Sequence, residues 1–168
     1  MRFLVCMGLV CLITAVGRAD PRGPKYGAWT QSIFGGGGYI QNVVPTSDPN
    51  IYYAWVDVAG VFRSDDGGQH WRCLTGNIKN RSPGINGCRG VSVDPSNPRR
   101  LVVALGHQWA PVEGLFTSDD AGETWSFRQS AIFFGNESHR YSGLVLVRHP
   151  ADPQIILAGS AGQNDLSA

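Results

Sequence analysis

Gly60-Val61-Phe62-Arg63-Ser64-Asp65-Asp66-Gly67-Gly68-Gln69-His70-Trp71 returns 54 residues later as Gly114-Leu115-Phe116-Thr117-Ser118-Asp119-Asp120-Ala121-Gly122-Glu123-Thr124-Trp125. Each copy reads as a short strand, a tight polar turn and an aromatic residue, and self-similarity at a fixed offset is the signature of a repeat architecture. In such a turn the short Asp side chain accepts hydrogen bonds from nearby amides, while Gly adopts positive φ at little cost. The Trp then packs under the hairpin. Ser64, Asp66, Gly68 and Trp71 in the first copy correspond to Ser118, Asp120, Gly122 and Trp125 in the second.

A second feature shares the period. Ser47-Asp48-Pro49-Asn50 leads into Ile51–Trp55, Ser96-Asn97-Pro98-Arg99 leads into Leu101–Leu105, and Ala151-Asp152-Pro153-Gln154 leads into Ile155–Ala158. The prolines at 49, 98 and 153 are 49 and 55 residues apart. Within one period the turn chemistry separates four short strands, at Val91–Val93, Leu101–Leu105, Leu115–Thr117 and Thr124–Arg128. No stretch keeps apolar residues at helical spacing for three turns, so almost no helix is expected. A four-stranded unit of about 50 residues that cannot bury both faces alone is a β-propeller blade. The expected fold is therefore all-β, a partial β-propeller of two complete four-stranded blades and an incomplete third. The Ser-x-Asp-x-Gly-x-x-Trp motif matches the Asp-box, whose carboxylates are structural because the turn spends them on its own backbone. An EF-hand is excluded, since the alternating acidic ligands and terminal Glu are missing.

Composition sets the outer bounds. The 168 residues are 42% hydrophobic and 16% charged, with 22 glycines and 14 basic against 13 acidic side chains. A net charge of +1 without a basic run gives no counterion release on a phosphate backbone, so nucleic acid is excluded as a partner. Arg2 precedes fourteen mostly apolar residues, Phe3 to Val16, and then the small residues Gly17 and Ala19. This reads as a signal peptide over residues 1–19, leaving 168 − 19 = 149 mature residues at 20–168 in a secreted, periplasmic or extracellular setting. Fourteen apolar residues fall short of the ~20 that span a bilayer, so no membrane span is expected. Val5 and Val10 precede Cys6 and Cys11 where a lipoprotein needs a small residue. Cys73 and Cys88 remain, either as two thiols or as a disulfide closing a loop worth about 3 kcal/mol. Asn80-Arg81-Ser82 and Asn136-Glu137-Ser138 are glycosylation sequons. His70 sits in a repeated turn, and His139 and His149 lack metal-ligand spacing, so neither a metal nor another cofactor is expected.

Several segments resemble the opening of glycoside hydrolase family 74, the xyloglucanases and related endoglucanases. They are Phe34-Gly35-Gly36-Gly37-Gly38-Tyr39-Ile40, Tyr53-Ala54-Trp55-Val56-Asp57-Val58-Ala59-Gly60 and Val93-Asp94-Pro95-Ser96-Asn97-Pro98. The similarity runs from about Ile33 to Gly159. It implies that the chain is the N-terminal part of a protein with two seven-bladed propellers and a polysaccharide groove between them, so that the C-terminal blades are its missing partners. It also implies that Asp57 stands where the family has the general base of an inverting glycosidase, within a Thr-Asp-x-Gly-Gly segment. Here Val56 and Ala59 replace the usual Thr and Gly, and Gly143-Leu144-Val145 stands where the family has Gly-Glu-Arg. An inverting reaction needs a base and an acid about 6.5–9.5 Å apart. The family's acid lies in the second propeller, so this polypeptide alone is expected to be catalytically silent. The other reading of Asp57 is that it ends a strand and caps the following turn.

For the substrate, xyloglucan or another β-glucan, the sequence offers Tyr39, Tyr53, Trp55 and Trp109 as flat rings to stack on pyranose faces, and His107 and Arg140 as donors to hydroxyls. Two further readings share the repeat. A sialidase would need a Tyr nucleophile and an arginine triad, and its early Arg-Ile-Pro motif is absent. A non-catalytic propeller, sortilin-like or an assembly scaffold, would bind carbohydrate or protein without hydrolysis. Self-assembly of several copies into a ring ranks below a continuation of the chain.

Overall fold

In a computed structural model of the protein, residues 31–35, 38–78, 87–106, 114–130 and 146–159 are described. They form two four-stranded antiparallel sheets and a two-stranded hairpin, as the two repeats and the third Asx-Pro turn lead one to expect. The first sheet is β1 (Ile40–Pro45), β2 (Tyr52–Val56), β3 (Gly60–Ser64) and β4 (Arg72–Cys73), paired in chain order. The second is β5 (Cys88–Asp94), β6 (Asn97–Leu105), β7 (Gly114–Ser118) and β8 (Ser126–Ser130), also in chain order. The hairpin joins β9 (Leu146–Arg148) to β10 (Ile156–Ala158). Among the described residues the only helical turn is a 3-10 segment, Thr75–Asn77.

The repeated turns take the form their residues dictate. In each Asx-Pro turn the side-chain oxygen accepts from the N–H two residues on: Asn50 to Asp48 at 2.9 Å, Arg99 to Asn97 at 3.0 Å, and Gln154 to Asp152 at 2.9 Å. In the first Ser-Asp turn Ser64 Oγ donates to Asp66 Oδ1 at 2.8 Å and accepts from the Gly68 N–H at 2.8 Å. In the second, Ser118 Oγ donates to Asp120 Oδ1 at 2.7 Å and accepts from the Gly122 N–H at 2.8 Å. The two kinds of turn also meet, since Gly67 N–H donates to Asn50 at 3.0 Å and Ala121 N–H donates to Arg99 at 2.8 Å. Ala121 holds the left-handed φ of +67° that Gly67 holds at +73° in the first copy.

Most of the core lies between the sheets. Tyr53, Val61 and Leu74 from the first blade bury against Leu101, Val103, Leu105 and Phe116 from the second. Leu74 presses on the backbone of Gly122, where a Cβ would come within 2.6 Å of Leu74 Cδ1. Polar contacts tie the same seam: Trp125 Nε1 donates to the Leu74 carbonyl at 3.4 Å, Arg63 donates to the Ala121 carbonyl at 3.4 Å, and Arg72 pairs with Glu123. Tyr53 Oη donates to the Pro98 carbonyl at 2.8 Å, and burial pushes its phenol up to about 12.

Candidate functional site

Asp57 follows β2 directly and is 4% exposed. Its contacts reach out of its own turn. The Asp57 N–H donates to the Tyr39 carbonyl at 3.1 Å, and the Tyr39 N–H donates to Asp57 Oδ1 at 2.8 Å. The pair extends the β1–β2 ladder by one step beyond Ile40 and Val56. Gly38 makes this approach possible: it holds φ at +117°, and a Cβ there would stand 2.6 Å from Val56 Cγ1 and 2.9 Å from Asp57 Oδ1. The glycine-rich entry to β1 thus lays backbone directly against the carboxylate.

The second blade supplies the other side. A Cβ on Gly87 would lie 3.3 Å from the Asp57 carbonyl oxygen, and Gly87 accepts from the Gly106 N–H at 2.9 Å. Two residues beyond Gly87 is Arg89, 1% exposed. Burial draws its guanidinium down from the ordinary value, against the opposing fields of Cys88 and Asp57. The ladders are irregular at this point. The β1–β2 register shifts between Ile40 and Asn42, around Gln41, and the β5–β6 register shifts between Cys88 and Gly90, around Arg89. Such irregularities re-aim side chains relative to a regular strand.

The expected stacking residues separate. Trp55 is 3% exposed and sits in the core, with its Nε1 donating to Gln41 Oε1 at 3.1 Å. Tyr53 is buried as well, so neither ring presents a face to solvent. Tyr39 is 53% exposed, beside the carboxylate its own N–H holds. His107, Trp109 and Arg140 lie outside the described residues, as do residues 1–19, both sequons and Gly143-Leu144-Val145.

Cys73 and Cys88, left open between two thiols and a disulfide, are not bridged in this structure. Cys73 is on β4 and exposed, donating weakly to the Ala59 carbonyl at 3.7 Å. Cys88 opens β5 in the core, where its thiol donates to the Gly90 carbonyl at 3.6 Å and burial pushes it up to about 12.

The carboxylates of the repeated turns are occupied locally. Asp66 Oδ1 accepts from the N–H groups of Gln69 at 3.0 Å and His70 at 2.9 Å, and Oδ2 lies 2.6 Å from His70 Nδ1. Asp120 accepts from the Thr124 N–H at 2.9 Å and its hydroxyl at 2.6 Å. Hydrogen bonds from His70 hold Asp66 far below the carboxylate range, and those from Thr124 hold Asp120 at about 2. These bonds tie each carboxylate to the backbone of its own hairpin. Among the described residues no group of three or more His, Cys, Asp or Glu could hold a metal ion. Among them, too, no helix is long and apolar enough to cross a membrane.

Arg89 and the Tyr39 amide escaped the sequence reading. The available signal for Arg89 was a lone cation in Cys88-Arg89-Gly90-Val91, a strand that is otherwise apolar or small.

No family model matches the chain. It is 30% identical over 142 residues to the xyloglucanase of Acetivibrio thermocellus, covering 80% of this chain and 17% of that protein. It is also 30% identical over 122 residues to the oligoxyloglucan-reducing end-specific xyloglucanase of Emericella nidulans, covering 70% of this chain and 15% of that protein. Among solved structures, the GH74 xyloglucanase of Xanthomonas campestris superposes with a TM-score of 0.65 at 28% identity, over 79% of this chain and 19% of that one. The chain thus spans about a sixth of the length of the curated relatives it matches. Its homologues and structural neighbours are GH74 xyloglucanases, and its sheets are propeller blades.

Proposed function

We propose that this chain supplies the base-bearing blades of a secreted xyloglucan hydrolase, with Asp57 as the general base. The observation that carries the reading is the placement of Asp57. It stands at the end of β2, held at Oδ1 by the Tyr39 amide, in a chain whose homologues are xyloglucanases. A carboxylate fixed by backbone can be aimed at a water without side-chain reorganisation, which is what a base needs in the transition state. Tyr39, half-exposed next to it, is the aromatic face on which a pyranose would stack.

Inversion also requires an acid about 6.5–9.5 Å from the base. The carboxylates of the two Asp-box turns, Asp66 and Asp120, are spent on those turns. The resemblance puts the acid in the family's second propeller, outside these blades, so the reading has the chain by itself silent. Release of reducing sugar from xyloglucan by the purified 168-residue protein would refute this. The base role is tested in a chimaera that carries this segment in place of its counterpart in the Xanthomonas enzyme. Asp57→Asn should abolish its activity, and full activity in that variant would remove Asp57 from the reaction.

A further inference from the structure

We propose that Phe34 is a positioning residue for Asp57: packed on the rings of Phe62 and Trp71, it ties down the glycine-rich entry to β1 and so keeps the Tyr39 amide on the carboxylate. This rests on the reading of Asp57 as the base but concerns a different residue, at the other end of the entry. The anchor is made by Ser32, Ile33 and Phe34. Phe34, half-buried, sets its ring centroid 4.6 Å from that of Phe62 and 4.7 Å from that of Trp71, at interplanar angles of 52° and 33°. Aromatic pairs at such separations hold more firmly than their buried area alone would. Ile33 bridges His70 in parallel register and leaves its side chain in solvent, as alternation requires when Phe34 faces the blade. Trp71 Nε1 donates to Ser32 Oγ at 2.8 Å and to the Gly68 carbonyl at 3.0 Å, and Ser32 Oγ donates to that same carbonyl.

The second blade shows what this anchor replaces. There Trp125 Nε1 donates to the Leu74 carbonyl, so the preceding blade meets the turn's indole. For the first turn, Ser32 and Phe34 take that part. The far end of the entry is where the site depends on them. Tyr39 and Asp57 form the rung beyond Ile40–Val56, with bonds of 3.1 and 2.8 Å, and it is the last rung of the β1–β2 ladder. A last rung opens first unless the chain beyond it is tied down. Gly38, directly beyond, holds φ at +117° and has no side chain to pack, and Phe34 stands four residues before it. Four residues reach at most about 14 Å, so a fixed Phe34 confines Gly38 and Tyr39 to a small volume beside Asp57. With Phe34 released, the same stretch becomes a free arm that frays toward the rung.

Hydrogen exchange of the isotope-labelled chain, read by NMR, is the test. Phe34→Ala should speed exchange of the Tyr39 amide by about tenfold, while the amides inside the β1–β2 and β2–β3 ladders keep their wild-type rates. An unchanged Tyr39 rate in the folded variant overturns the proposal. So does an equal acceleration of every ladder amide, because a loss of blade stability alone would produce it. Should Phe34→Ala not fold, Phe34→Leu decides: it keeps bulk and loses the ring contacts, and should speed the Tyr39 amide selectively by roughly threefold. The same two results overturn the proposal in that variant. A Tyr39 amide that does not respond defeats the anchor and leaves the base role of Asp57 standing. A fully active Asp57→Asn chimaera defeats the base role and leaves the anchor standing.

Discussion

Gly68 and Gly122 occupy equivalent places in the two repeated turns and share their backbone conformation, with φ of +90° and +88°. Their surroundings differ. A Cβ on Gly68 would meet only the Trp71 ring, at 3.8 Å, whereas a Cβ on Gly122 would meet three atoms of the Leu74 side chain, the nearest at 2.6 Å. Replacing each by Ala therefore applies the same backbone strain twice and a steric clash once. The positive φ costs Ala about 1–2 kcal/mol, and the stiffer unfolded chain returns about 0.4–1 kcal/mol. Gly68→Ala should thus lose about 0.5–1 kcal/mol. Gly122→Ala adds overpacking of a fully buried leucine, about 1–3 kcal/mol more. With a urea m-value near 2 kcal/mol/M, the midpoints should fall by roughly 0.3–0.5 M and 1–2 M respectively. Urea titrations followed by tryptophan fluorescence measure both. Equal losses in the two variants would mean that the first blade does not press on the second turn, and the seam between the blades would have to be redrawn.

Two further outcomes follow from the same seam and turns. Leu74→Ala removes a core side chain and leaves a cavity under Gly122, so it should cost about 2–5 kcal/mol in the same titration, while Cys73→Ser on the exposed β4 should stay within about 0.5 kcal/mol. Asp120 is ionised more readily in the fold, at about 2, than in an unfolded chain, near ~3.9. Its contribution to stability is present above the unfolded value and is lost as pH falls through the folded one. Stability should therefore decline between about pH 4 and pH 2, and Asp120→Asn, measured by urea midpoint against pH, should flatten that decline.

The parts of this fold that were legible in the sequence are those whose partners lie within a few residues. Asp66 bonds to Gln69 and His70, Asp120 bonds to Thr124, and Asp48, Asn97 and Asp152 each bond two residues ahead. A local hydrogen bond needs only the right residue at the right spacing, so turns and strand limits could be read from the motif. Trp55 shows where that logic stops. Alternation assigns one face of a strand to solvent, but β2 has four consecutive buried residues, Tyr53 to Val56, so position along the strand does not tell which ring is free.

The surroundings of Asp57 were illegible for a related reason. Its amide partner Tyr39 lies 18 residues upstream, and Gly87, which abuts its carbonyl, lies 30 residues downstream. The ladders on both sides depart from regular pairing, between Ile40 and Asn42 in β1 and between Cys88 and Gly90 in β5. In a regular strand a one-residue slip sends every side chain to the opposite face, so no spacing rule read from a uniform strand could place the Tyr39 amide at the Asp57 carboxylate. What the sequence did contain was bare backbone: a Cβ on Gly38 would stand 2.9 Å from Asp57 Oδ1, and one on Gly87 would meet the Gly106 carbonyl oxygen at 2.2 Å and the Asp57 carbonyl oxygen at 3.3 Å. Cores tolerate a buried charge and bare backbone only where a partner fills the demand. Gly38 lies against the Asp57 carboxylate and Gly87 against its carbonyl. For the base role proposed above, backbone packed this closely limits how far the carboxylate can turn, whereas a carboxylate that only ended a strand would have no need of the approach at Gly38.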